Sequence, residues 1–170
     1  EAAGRIIEKL AAGDAVALVS DAGTPAVSDP GARIVAAVRA AGFRVVPLPG
    51  PCAAVAALSA SGLADPHFLF YGFLPAKAGQ RRQALESLKA LPYALVFYEA
   101  PHRVVEAVED LAAVLGERTL VIARELTKLF ESIHSGPLAE APAWMRADPN
   151  RQKGEFVLVV SGAPAGADPR

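Results

Sequence analysis

Short apolar runs, each followed by a loop rich in glycine and proline and then by a helical pattern, restrict the fold of this chain more than any other feature. Ala15-Val-Ala-Leu-Val-Ser20 is a continuous apolar run, as expected of a strand buried on both faces, the kind that parallel sheets between helices require. Phe43 to Leu48 reads as a second such strand. Helical periodicity covers Ala2 to Ala12, with Ile6, Ile7 and Leu10 on one side and Gly13 as a stop. It returns over Ala32 to Ala41, where Ser28 or Asp29 can cap a helix whose first turn tolerates Pro30, and again over the small residues Cys52 to Ser61. The order α, β, α, β, α with short connections predicts parallel strands joined by crossovers.

After Gly62-Leu-Ala-Asp-Pro66, the best linker in the chain, the pattern changes. Strands are expected at His67–Phe73, Tyr93–Glu99, Thr119–Arg124, Phe130–Ser135 and Glu155–Ser161. Helices are expected at Ala78–Ala90 and Arg103–Leu115, with a further helical stretch around Ala141–Ala147. Crossovers mixed with a hairpin predict a sheet of mixed direction. The expectation is an α/β protein of two lobes, residues 1–63 and 64–162, with a frayed tail over 163–170.

The chain has 170 residues, long enough for a real core, and 52% of them are apolar, although 36 are alanine. With 17 Lys and Arg against 18 Asp and Glu, whole-surface attraction to nucleic acid is excluded, whereas a local basic face is not. One cysteine excludes a disulfide framework and a zinc site built from several thiolates, and the three histidines lack metal-ligand spacing. No metal is expected. No run reaches the roughly 20 apolar residues of a membrane span, so a reducing cytoplasm is the expected setting.

Candidate chemistry gathers at strand ends, where open α/β sheets place ligands. Ser20-Asp-Ala-Gly-Thr-Pro25 offers close backbone approach and one carboxylate, Asp21, although it also reads as a self-capped turn. Pro49-Gly-Pro-Cys52 ends the next expected strand, and Cys52 reads as packing more readily than as a nucleophile. Gly72-Phe-Leu-Pro75, Tyr98-Glu-Ala-Pro-His-Arg103 and Ala123-Arg-Glu-Leu-Thr-Lys128 end three later strands. Glu99, Arg103, Arg124 and Glu125 could touch a ligand there or form a structural ion-pair network. Lys77, Arg81, Arg82 and Lys89 make a basic stripe, read either as a solvated helix face or as an RNA contact, with Arg103 as a further candidate. Dinucleotide, nucleotide-triphosphate and serine-hydrolase motifs are absent from the sequence.

Taken in order, Val19 to Gly31, Pro49 to Ala53, Phe70 to Pro75, Tyr98 to Arg103, Ala123 to Lys128 and Gly154-Glu155 resemble the ribosomal-RNA ribose methyltransferases of the tetrapyrrole (corrin/porphyrin) methylase superfamily. The resemblance covers residues 1 to 162. It implies a two-lobed homodimer that binds S-adenosylmethionine between its lobes and methylates the 2′-hydroxyl of a cytidine in small-subunit ribosomal RNA, free or assembled. On that pattern Asp21, Ala22, Gly23, Thr24, Pro25, Pro51, Cys52 and Ala53 line the cofactor from the first lobe, and Phe73, Leu74, Pro75, Arg124 and Glu125 from the second. Cys52 stands where the family commonly has Ser.

The family begins with a further strand and a glycine-bearing loop, and this sequence starts after them, so the expectation is a truncated first lobe, weak cofactor binding and little catalysis. Methyl transfer from a sulfonium needs alignment and a proton acceptor, and Asp21, Glu99, His102 and Glu125 are unranked candidates for that acceptor. Two alternatives stand beside this reading. One is a superfamily methyltransferase acting on a tetrapyrrole or another small molecule, and the other is a non-catalytic binding or dimerisation fragment.

Overall fold

The computed structural model describes residues 2–164. The chain forms two compact units, one ending at Cys52 and one beginning at Ala53.

The first unit holds two helices, α1 (Ala2–Ala11) and α2 (Ala32–Ala40), packed on each other. Ile6, Ile7 and Leu10 of α1 are half-buried, as their spacing requires. Gly13 takes φ +92° and closes the helix, its N–H donating to Leu10 O at 3.1 Å. The second helix starts later than its capping signals suggest. Gly31, at φ +138°, is its N-cap with no side-chain cap, which leaves Pro30 outside.

The two expected strands at 15–20 and 43–48 do not form, and with them goes the parallel sheet expected in this lobe among the described residues. Their apolar residues stand open, Val19 at 79% and Leu48 at 81% exposure. An apolar run records that a segment suits a sheet interior, but a strand exists only when a neighbour supplies its hydrogen bonds. Here no described neighbour does.

The second unit is built on one five-stranded sheet of order β1-β2-β5-β3-β4, comprising β1 (Phe68–Phe73), β2 (Ala94–Glu99), β3 (Thr119–Arg124), β4 (Ser132–Pro137) and β5 (Phe156–Val160). β1 and β2 are parallel and joined through α4 (Ala78–Leu88), whereas β5 runs antiparallel to both β2 and β3, and β4 antiparallel to β3. The expected mixed sheet is therefore present. β4 lies two residues further along than its sequence pattern indicates, because its register is set by pairing from Thr119↔Pro137 to Arg124↔Ser132.

β5 occupies the centre, and all five of its residues are buried. One face carries Leu95, Phe97, Leu120, Ile122, Phe156, Leu158 and Val160, covered by α4, α5 (Val104–Leu115) and α6 (Ala141–Arg146) in a single apolar cluster. The opposite face meets α3 (Ala53–Ser59), whose Ala54 and Ala57 are buried. Alanine at these positions lets the short helix approach the sheet closely. At the chain end, Ala163 N–H donates to Leu91 O at 2.9 Å, so the expected fraying does not begin at 163. The rest of that expectation falls on 165–170, outside the described residues.

Candidate functional site

Strand directions place the chemistry of the second unit along one edge of its sheet. Because β2 and β3 point the same way with β5 reversed between them, Glu99 pairs with Phe156 and Arg124 pairs with Phe156 across β5. The loops after Phe73, Glu99 and Arg124, and the Gly154-Glu155 turn before β5, therefore share that edge.

At the end of β1 the register slips between Phe70 and Gly72, leaving Tyr71 as a bulge, and Gly72 takes φ +84°. The kink leaves Leu74 buried and Phe73 half exposed. Phe73 packs edge-on against Tyr98 with ring centroids 5.7 Å apart, and the Arg103 guanidinium lies 5.9 Å from its ring centre. Arg103 is aimed by Glu99. The buried Glu99 carboxylate accepts from Arg103 Nε at 2.5 Å and from Ala100 N–H at 2.8 Å. Both bonds tie it to structure. His102 lies exposed in the turn between them.

The Arg124–Lys128 loop is over-determined. Glu125 and Thr127 adopt φ +51° and +66°, an uncommon and strained region for side chains of this size. Arg124 holds the loop from one side, donating to Ser132 Oγ at 3.1 Å, Lys153 O at 3.2 Å and Phe130 O at 3.1 Å. Glu125 holds it from the other: its Oε1 accepts from Glu155 N–H at 2.8 Å and from Lys128 Nζ at 3.1 Å, and Lys128 also reaches Glu155 at 2.8 Å. The backbone bond from Glu155, followed by the Lys128 ammonium, pulls the Glu125 carboxyl below its usual range, while the two glutamates push Lys128 above its own. Gly154 makes this arrangement possible. A Cβ there would stand 2.5 Å from Glu125 Cγ, and its φ of +94° already favours glycine.

In the first unit the two expected loops meet. Thr24 Oγ1 donates to Pro51 O at 2.9 Å, and Ser20 Oγ donates to Ala22 O and Gly23 O at 3.1 and 3.2 Å. Gly23 takes φ +71° with Pro51 O close by. Asp21, Ala22 and Gly23 are exposed, and Thr24 and Pro25 are half-buried. Pro51 and Cys52 close this unit, and Ala53 opens α3 in the next.

The basic stripe is reduced. Arg81 does not face solvent: it is 2% exposed, with Nε on Asp110 Oδ2 at 2.6 Å and Nη1 on Ala76 O at 3.1 Å. Its place on the inner face of α4, next to Leu85 and Leu88 in the buried set, turns it from an RNA candidate into a brace for the loop after Pro75. Arg103 is likewise engaged with Glu99. Lys77, Arg82 and Lys89 remain exposed, although Arg82 Nε also pairs with Asp110 Oδ1 at 2.6 Å and Lys89 with Glu86 at 3.6 Å. Sequence reasoning missed Asp110 as Arg81's partner. Its signal was present, since Asp110 sits among the apolar positions of α5.

Two further clusters lie apart from this edge. An open cavity lined by Glu117, Arg118, Thr119, Pro137 and Ser161 sits at the opposite end of the sheet. His134 stacks on Trp144 at 3.7 Å, with the Arg151 guanidinium 4.2 Å from the same ring. Among the described residues no group of His, Cys, Asp and Glu could hold a metal ion, and no helix is long and apolar enough to cross a membrane.

The chain belongs to the tetrapyrrole (corrin/porphyrin) methylases, whose sequence profile matches residues 1–142. Among particular proteins, it is 55% identical over 161 residues to the ribosomal RNA small subunit methyltransferase I of Escherichia coli O157:H7, covering 94% of this chain and 56% of that protein. It is 53% identical over 171 residues to the protein of the same name from Pseudomonas aeruginosa, covering 99% of this chain and 61% of that one. The chain thus spans little more than half the length of these curated relatives. Among solved structures, the methyltransferase CobJ superposes with a TM-score of 0.69 at 24% identity, covering 95% of this chain and 70% of that one. A uroporphyrin-III C-methyltransferase of Thermus thermophilus, complexed with S-adenyl homocysteine, gives 0.60 at 19% identity, covering 92% and 70%. At these identities the likeness establishes the fold.

Proposed function

We propose that this chain carries the core of an S-adenosylmethionine-dependent methyltransferase that modifies the 2′-hydroxyl of a cytidine in small-subunit ribosomal RNA. The observation that carries the reading is the convergence of the Gly72–Pro75, Glu99–Arg103, Arg124–Lys128 and Gly154-Glu155 segments on one sheet edge. These are blocks that first pointed to the ribose methyltransferases. The printed names of relatives at 55 and 53% identity support the rRNA substrate.

The residues suit the cofactor in kind. Ala22 and Gly23 leave backbone groups open to a ligand, Asp21 offers an exposed carboxylate, and the exposed ring of Phe73 offers a flat apolar surface. On this reading the cofactor-binding candidates within the second unit are Ala53, Phe73–Pro75, Arg124 and Glu125. Bound S-adenosylmethionine supplies an activated methyl group on a sulfonium. The protein's part is to hold the ribose hydroxyl in line with that methyl, exclude competing nucleophiles and receive one proton. Glu125 is ill suited to that last task, since the Glu155 N–H and the Lys128 ammonium pull its carboxyl below the usual range. Glu99 is buried with its Oε1 occupied by Arg103 Nε and Ala100 N–H, which leaves Asp21 and His102 as the exposed candidates.

A homodimeric assembly and a cytoplasmic setting belong to the same reading, on the strength of the family resemblance. Lys77, Arg82 and Lys89 are its RNA contacts.

The test uses the protein encoded by the complete reading frame around Glu1 and Arg170. Incubation with small ribosomal subunits and methyl-labelled S-adenosylmethionine is expected to label one cytidine ribose. Label appearing instead on a tetrapyrrole, or on neither substrate, would overturn the proposal.

A further inference from the structure

The proposed cofactor residues of the second unit come from segments distant in sequence, and one side chain outside the proposed site joins two of them. Tyr98 is the fifth residue of β2 and is half-buried. Its hydroxyl accepts the Ala54 N–H at 3.1 Å. Ala54 lies in the first turn of α3, where a backbone N–H has no acceptor within its own helix. Tyr98 therefore holds the Ala53-Ala54 turn in place with a bond that the helix itself cannot make.

The same ring orients Phe73. Tyr98 meets Phe70 edge-on at 4.9 Å and Phe73 at 5.7 Å, with interplanar angles of 65° and 69°. Phe73 is half exposed, so burial alone does not set its rotamer. The Tyr98 ring and the Arg103 guanidinium do so together, and Arg103 is itself locked by Glu99. The edge-on preference of aromatic pairs makes this a directional constraint rather than simple contact.

We propose that Tyr98 is a positioning residue for the cofactor: through its hydrogen bond to Ala54 and its ring contact with Phe73 it sets Ala53 and Phe73 relative to each other. The role rests on the cofactor reading above. It gives the Tyr98–Arg103 block a physical purpose in which Glu99 and Arg103 aim a side chain rather than carry out the reaction.

Tyr98→Phe keeps the ring and removes only the hydroxyl. Two measurements on the protein of the complete reading frame are made side by side, calorimetric titration with S-adenosylhomocysteine and amide exchange by NMR, with the thermal midpoint as a control. In the variant the Ala54 amide is expected to exchange faster while amides of β5 keep their protection. The dissociation constant for S-adenosylhomocysteine is expected to rise about three- to tenfold, the worth of one neutral hydrogen bond, with the midpoint nearly unchanged. Tyr98→Leu, which also removes the edge contact to Phe73, is expected to weaken binding further. An unchanged affinity in Tyr98→Phe overturns the proposal, whether or not Ala54 exchange has changed. Faster exchange throughout the sheet with a large fall in midpoint also overturns it, since that marks a general structural role. If the unaltered protein of the complete reading frame does not bind S-adenosylhomocysteine at all, the cofactor reading fails and takes this role with it.

Discussion

Replacing Gly154 by Ala tests the most tightly specified contact along the site edge. The new Cβ would lie 2.5 Å from Glu125 Cγ and 2.6 Å from both Cδ and Oε1, well inside any real carbon contact. A flexible side chain could ordinarily swing away, but Glu125 is tied by Glu155 N–H and Lys128. Moving it breaks the bond that holds Glu155 in place before β5, at a cost of about 1 kcal/mol. The backbone adds a second term, because φ at Gly154 is +94° and a side chain there costs roughly 1–2 kcal/mol. The sum is about 2–3 kcal/mol. It is read as the shift in denaturant midpoint at constant slope. Glu125→Ala separates the two terms, since without the longer side chain only the backbone cost of Gly154→Ala remains. A double-mutant cycle is therefore expected to return a coupling near 1 kcal/mol. Equal costs of Gly154→Ala in both backgrounds would refute the steric reasoning, and a cost below about 0.5 kcal/mol would refute the strain as well.

Three other outcomes follow from the same coordinates. Asp110→Ala removes the nearer of the two carboxylates paired with the buried Arg81 guanidinium, together with the partner of Arg82, and is expected to cost about 3–5 kcal/mol in chemical denaturation, whereas Glu86→Ala, which removes an exposed pair to Lys89, is expected to cost less than 1 kcal/mol. The Glu125 carboxyl is depressed and the Lys128 ammonium raised, so the stability they confer is present between the usual carboxylate and ammonium ranges. It is lost as pH falls through the lowered Glu125 value or rises through the raised Lys128 value, and Glu125→Gln should flatten the acid limb of a stability–pH series. His134 is pushed down by burial first and by the Arg151 cation second, so the fold favours its neutral ring. Its contribution is present above about pH 6.5 and lost on acidification, a loss that His134→Leu should abolish in the same series.

How much of this was legible beforehand can be judged residue by residue. The pattern over Arg103–Leu115 marked α5 and the one over Glu155–Ser161 marked β5, while the burial of Val104, Ala107, Val108 and Leu111 and of all five β5 residues came from the fold. The loops at Phe73–Pro75, Glu99–Arg103 and Arg124–Lys128 were found as strand ends. Glu99 and Glu125 were open as possible proton acceptors until their partners were seen, because neither Ala100 N–H nor Glu155 N–H is visible in a residue pattern. Arg81 looked like one more cation in a stripe, although its helix position already placed it on the inner face with Leu85 and Leu88. Tyr98 drew no attention of its own, since its role depends on α3 being folded back against β2.

The sequence alone determined the class, because helical and strand periodicity, glycine stops and turn chemistry act over a few residues and need no distant partner. It also determined the absence of whole-surface charge, so any RNA contact must be local. Tertiary structure decided which apolar runs became strands. Residues 156–160 found neighbours on both sides and 15–20 found none among the described residues, since a ladder is a property of two segments. It also decided which charges stayed on the surface and which turned inward, because Arg81 needed Asp110 from another helix before burial was tolerable.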